Sequence, residues 1–224
     1  GSKTSFSKFI KFLKKNRLYY KIVSNKNFSK NVSEPILSDE KNLNYFKIKN
    51  KILKKLKKTK INLKLNHQIK KRDLNKYSKI IIACYEQNNN VLKQLSIKPI
   101  KKYKYELVEK IIIKLPKKFK KESFMVLDGK FVSLDPYLGT NYHLLSDVEF
   151  SKIEIVKDFF PIFKSSKSKF VNKGIIKNIK LSRFHKFINN SKKYLSFLEK
   201  AKYIGSFFVI RTIEMKKEKT DERL

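Results

Sequence analysis

The sequence predicts an α+β fold with an α/β remnant: an antiparallel sheet with packed helices, beside part of a second, parallel-type sheet. Three observations predict it. Residues 122–151, ESFMVLDGKFVSLDPYLGTNYHLLSDVEFS, interleave strand-forming residues with two turn signals. Apolar residues recur at helical spacing in residues 6–13, 43–58, 175–188 and 192–201. Residues 77–84, YSKIIIAC, hold a continuous apolar run without alternation, the pattern of a strand covered on both faces.

In residues 6–13, Phe6, Phe9, Ile10 and Leu13 form a one-sided stripe about two turns long, suited to a short helix lying on its own domain. Residues 18–23 read as a strand and residues 24–38, with Pro35 inside, as a loop. Ser38 or Asp39 is placed to cap the helix that runs to Lys58. Ile61, Leu63 and Leu65 then alternate with polar residues, the period of a strand with one buried face. After residues 77–84 come a polar turn and a short helix over 87–95, then a β-rich segment over 103–115 that Pro116 ends. In the 122–151 stretch, Asp128-Gly129 closes a tight hairpin and residues 135–140 form a second turn, with Tyr142-His143-Leu144-Leu145 returning as a strand. Ile153, Ile155 and Val156 extend the sheet until Pro161, residues 163–173 are exposed, and residues 207–210 form a further strand after the two helices.

The formal charge of +36 comes from 55 basic against 19 acidic residues, which points to phosphate contacts. Only five of the basic residues are arginine, the residue favoured for bidentate recognition. Lysine, asparagine, isoleucine, phenylalanine and tyrosine are abundant while glycine, alanine and proline are scarce, a joint skew that an AT-biased genome produces in any protein. The larger part of the charge is assigned to that skew and to solubility; the remainder still attracts polyanions non-specifically. Cys84 is the single cysteine, so no intrachain disulfide forms and a reducing cytoplasm is the default compartment. No apolar run is long enough to cross a bilayer, and the start lacks the features of a secretory signal.

Four of the five glycines lie at or beyond Gly129, which excludes an early glycine-rich nucleotide fingerprint and a phosphate-cradling loop. His67, His143 and His185 are isolated from cysteine or carboxylate groupings, so no metal site is predicted. By residue type the catalytic candidates are Asp135 and Tyr137 around Pro136, His143 on its strand, and Arg211, a rare arginine whose fork suits a fixed bidentate contact. Each has a plainer reading: Asp135 as a turn cap, His143 as a packed sheet residue, Arg211 in a structural salt bridge. Cys84 reads as a buried thiol.

The wording DGKFVSLDPY, followed by Thr140 and Tyr142-His143-Leu144-Leu145, resembles a segment of the D-amino-acid-oxidase-like family of FAD-dependent oxidoreductases. In looser form the resemblance takes in residues 18–22 as a strand entering the substrate domain and residues 61–65 as the strand after a helix. It also takes in residues 77–85 as the strand returning to the nucleotide-binding domain, and Arg211-Thr212 with residues 220–223 as the approach to the last flavin-contacting segment. The resemblance implies an antiparallel substrate-binding domain plus part of an FAD/NAD(P)-binding-like domain. It divides the chain into residues 1–76 at the interface of the two, 77–100 as the FAD-binding remnant, 101–202 as the substrate domain and 203–224 as the return. It implies FAD as cofactor, oxidation of an amine- or hydroxyl-bearing small molecule, Tyr137, His143 and Arg211 on the substrate side, and Ala83, Cys84 and Tyr85 beside the flavin. The family's N-terminal glycine-rich turn is absent from these residues, so the resemblance implies either a fragment of a flavoenzyme, with the missing FAD-binding portion on a longer chain, or a degenerate member of the family. The rival expectations are a basic, non-catalytic protein binding nucleic acid or another polyanion, and an interaction domain derived from the enzyme.

Overall fold

The structure, a computed structural model, describes residues 4–24, 27–32, 34–126 and 131–215. It is an α+β fold built on antiparallel pairing. In order, its helices and strands are α1 (Phe6–Lys15), β1 (Tyr20–Ile22), β2 (Ile36–Ser38), α2 (Tyr45–Leu56), α3 (Asn88–Gln94), β3 (Tyr103–Lys114), β4 (Phe124–Met125), β5 (Val132–Tyr137), β6 (Tyr142–Asp147), β7 (Lys152–Asp158), α4 (Phe184–Ser191) and β8 (Lys202–Ile213). β1 and β2 make a small hairpin; the other six strands form one sheet.

β3 is the spine of that sheet. β8 pairs with it from Lys104↔Ile213 to Lys114↔Lys202. Its other edge is shared by β6, through Ile111↔Leu145 and Ile113↔His143, and by β7, from Val108↔Lys152 to Tyr103↔Asp158. β6 and β7 therefore run end to end as one interrupted strand. The interruption is held by Asp147, whose Oδ1 accepts from the backbone N–H groups of Glu149 and Phe150, both at 2.8 Å, while Glu109 N–H still reaches Ser151 O at 2.9 Å. β5 and β4 extend the sheet beyond β6.

Because side chains alternate across a strand, β3 has two different faces. Ile111 and Ile113 join Val132, Leu134 and Leu145 in the hydrophobic core, which Phe184, Phe187, Leu195, Phe197 and Leu198 close from above. Phe119 stacks on Phe197 there, with ring centroids 4.0 Å apart. On the opposite face stand Lys104, Glu106, Val108, Lys110 and Ile112. At the β5–β6 end that face is overlaid by α2, whose Phe46 ring lies 6.0 Å from Tyr137, itself 6.0 Å from Phe207 on β8.

Several expectations need correcting. Residues 77–84 form no strand, and Ile81 is 91% exposed. The parallel-type remnant is therefore absent from residues 77–100, which hold a 3-10 turn and α3. The strand buried on both faces is β3, where apolar residues carry the run, Glu106 is paired with cations and Glu109 is held by hydrogen bonds. Residues 61–65 form no strand, and Ile61, Leu63 and Leu65 are exposed: alternation alone supplies no partner strand. The α2 cap is Asn44, whose side chain accepts from Lys47 N–H at 3.0 Å, rather than Ser38 or Asp39; Ser38 is taken by β2, inside the expected loop.

The second turn of the 122–151 stretch begins after Tyr137, because Asp135 and Pro136 remain in β5 opposite Leu144 and His143. Proline is tolerated there because β4 has already ended and no partner on that side needs its missing N–H. Gly139 supplies the turn with φ +91°. The tight turn at Asp128-Gly129 and residues 220–223 lie outside the described residues. The helix expected over 175–188 is shortened to α4, preceded by a 3-10 turn at Ile179–Leu181, and residues 196–200 form only a 3-10 turn. α1 packs as expected, with Leu13 buried, while residues 163–173 are less exposed than expected because Phe170 lies 5.8 Å from the Phe208 ring.

Candidate functional site

The sheet sorts the residues singled out in the sequence. Tyr137 pairs with Tyr142 and Pro136 with His143, so Tyr137 and His143 point to opposite faces. His143 is buried in the core face, with Nε2 2.9 Å from Phe119 O. Burial pushes its pKa below the ordinary histidine value, against the opposing effect of that hydrogen bond. A lowered histidine pKa contributes stability above the unfolded value of about 6.5, and that contribution is lost as the pH falls from there toward the folded pKa. In an NMR titration the His143 ring is expected to stay neutral until the pH is below about 6.5; a midpoint at or above that value would contradict its buried environment.

Arg211 shares a face with Tyr137 but lies four residues beyond Phe207 along β8, a separation of about 13 Å at strand rise. The three substrate-side candidates thus do not converge. Ala83 and Cys84 are exposed; Cys84 N–H donates to Asn88 Oδ1 at 2.7 Å, and its thiol is free rather than buried. Tyr85 adopts φ +51° and its hydroxyl accepts from Thr212 N–H at 3.0 Å, so it braces the end of β8 beside Arg211.

What Arg211 meets is Glu106. The register pairs the two directly across β3 and β8, and Arg211 Nε donates to Glu106 Oε2 at 2.8 Å, with Nη2 on the same oxygen. Lys104 Nζ lies 3.0 Å and Lys152 Nζ 3.9 Å from Oε1. Burial works to raise the Glu106 pKa, but the hydrogen bonds and charges of Lys104 and Arg211 outweigh it and hold the carboxyl below its ordinary value. Lys157, directly across from Lys104, and Lys110 stand on the same face. Glu106 is the one carboxylate that these three strands place there, against Lys104, Lys110, Lys152, Lys157 and Arg211. Sequence reasoning found Arg211 by its rarity and missed its partner; the available signal was an acid inside an apolar strand, which must be neutralised to be buried.

The same inward use of acids recurs elsewhere. Glu109, fully buried, accepts from the hydroxyls of Ser182 and Ser206, both at 2.6 Å, and from Arg183 N–H at 3.0 Å. Glu154 accepts from Lys164 and Ser165 N–H at 3.0 and 2.8 Å, and Asp147 fastens its loop. By contrast α2 carries Lys47, Lys49, Lys51, Lys54 and Lys55, all exposed, and no acid. Among the described residues no group of three or more His, Cys, Asp or Glu is placed to hold a metal ion, and no helix is long and apolar enough to cross a membrane.

No protein family, curated protein or solved structure matches the chain. The class defined by fold and surface together is an antiparallel α+β protein with one sheet face on the core and a second face that is basic where β7, β3 and β8 meet.

Proposed function

We propose that the chain binds nucleic acid through the phosphodiester backbone and catalyses no reaction. The observation that carries this reading is the division of charge: Glu106, Glu109 and Asp147 are buried on internal hydrogen bonds and ion pairs, while the lysines of α2, with Lys110 and Lys157 on the basic sheet face, are exposed. The surface is thereby left with cations that few carboxylates oppose, and phosphates meet them with release of counterions. Lysine suits this role as a mobile point charge, and the scarcity of arginine argues for backbone contact over reading of base edges.

The flavin reading has no comparable support. A dinucleotide is held by a strand, a glycine-rich turn and a helix N-terminus, whereas Ala83, Cys84 and Tyr85 are exposed and belong to no strand. Residues 175–180 line a depression that is open to solvent, whereas a flavin is held shielded from water.

The test is fluorescence anisotropy of labelled single- and double-stranded oligonucleotides over a salt series. Binding is expected with little sequence preference, and affinity should fall about tenfold or more between roughly 50 and 200 mM salt. Absence of binding at the low-salt end would overturn the proposal. So would binding to anionic vesicles but not oligonucleotides, or purification of a yellow protein with a flavin spectrum.

A further inference from the structure

We propose that Arg211, held on the buried carboxylate of Glu106, forms with Lys152 a phosphate-binding site on the basic face of β7, β3 and β8, at which the nucleic-acid backbone docks. The inference rests on the function proposed above and gives it a location.

The first argument is the excess of charge. Lys104 and Lys157 are direct cross-strand partners, and like charges so placed destabilise a sheet. Glu106 already takes the Arg211 fork on Oε2 and Lys104 on Oε1, with Lys152 at 3.9 Å. Among the described residues of β7, β3 and β8, Glu106 is the one carboxylate on this face. An anion seated beside Arg211 and Lys152 meets two cations that share one buried carboxylate.

The second argument is orientation. The bonds to Glu106 use the Nε and Nη2 side of the guanidinium, so its other edge, with both Nη1 hydrogens, is turned away from the carboxylate. The Arg211 side chain is 47% exposed while Glu106 is fully buried, so the carboxylate works from beneath and the fork presents its open edge to solvent. A guanidinium held this way has lost its rotamer freedom before a phosphate arrives, which favours a charge-assisted bidentate contact. Thr212, bonded through its N–H to Tyr85, fixes the backbone beside it.

The experiment measures oligonucleotide affinity for Arg211→Lys, Lys152→Gln and Glu106→Gln, with Lys54→Gln on α2 as the control for loss of a distant charge. Arg211→Lys keeps the charge and removes the fork; it should weaken binding about three- to tenfold. Lys152→Gln should weaken binding more than Lys54→Gln does. Glu106→Gln raises the net charge by one, yet should weaken binding because the fork loses its anchor. Thermal unfolding reports whether each variant is folded; should Glu106→Gln not fold, the half-exposed Arg211→Lys variant still decides. If Arg211→Lys binds like the unaltered protein and Lys152→Gln loses no more than Lys54→Gln, the site is refuted while the general function stands. If the unaltered protein binds no oligonucleotide, the function itself fails.

Discussion

Replacing Glu106 by alanine is expected to destabilise the fold by about 3–5 kcal/mol, the cost of leaving buried cations without their counter-charge. The Lys104 side chain is 9% exposed and its Nζ lies 3.0 Å from the carboxylate, so water cannot substitute for the lost partner without opening the sheet. Arg211, half exposed, suffers less and can turn to solvent. Urea denaturation should show a lower midpoint with an unchanged slope, since the surface exposed on unfolding is nearly the same. The companion variant carrying Glu106→Met and Lys104→Met should recover much of the loss, because apolar replacement of a buried ion pair is often neutral. The pH dependence follows from the lowered pKa: Glu106 contributes stability above the unfolded carboxyl value of about 4.3, and that contribution disappears as the pH falls through the folded value. A loss under about 1 kcal/mol on Glu106→Ala would show that the ion pairs are not what neutralises this strand.

The same residue explains what was legible in the sequence and what was not. β3 could be read because β-branched, aromatic and other apolar side chains recur along it until Pro116, and that preference is local. Residues 77–84 show a similar preference with Ile80, Ile81 and Ile82, yet no strand lies beside them. Composition states a preference, while pairing is decided by segments far away in the chain. Arg211 could be singled out by rarity alone. Its junction with Glu106 spans 105 residues of sequence and depends on the β3–β8 register, which no local pattern encodes. His143 illustrates the opposite case: alternation in β6 puts it on the face of Leu145 and Asp147, so its packed role followed from period two. The shortened α4 was over-read because the apolar spacing of residues 175–188 continues beyond the stretch that is helical. Ile179 and Leu181 sit in a 3-10 turn, whose three-residue period resembles that of a helix over so short a distance.

Phe187→Ala is expected to cost about 3–5 kcal/mol, comparable with the loss of Glu106 but through cavity formation. Phe187 is fully buried on α4 within the cluster that also holds Ile111, Ile113, Leu134 and Leu145. α4 cannot easily sink into the space left behind, because it is tied to the sheet at both ends. Arg183 N–H donates to Glu109 at its start, and Asn190 Nδ2 donates to Asp147 Oδ2 at 2.8 Å near its end. A helix so held leaves the cavity open, so the cost should lie in the upper part of that range, while Phe187→Leu, which refills most of the volume, should cost much less. Phe187 belongs to the core face and Arg211 to the basic face. At temperatures where Phe187→Ala is folded, its oligonucleotide affinity should therefore stay within about twofold of the unaltered protein, as expected for distant, independent sites. A large loss of affinity in the folded variant would mean that the two faces are coupled through β3, and that the basic face owes its geometry to the core beneath it.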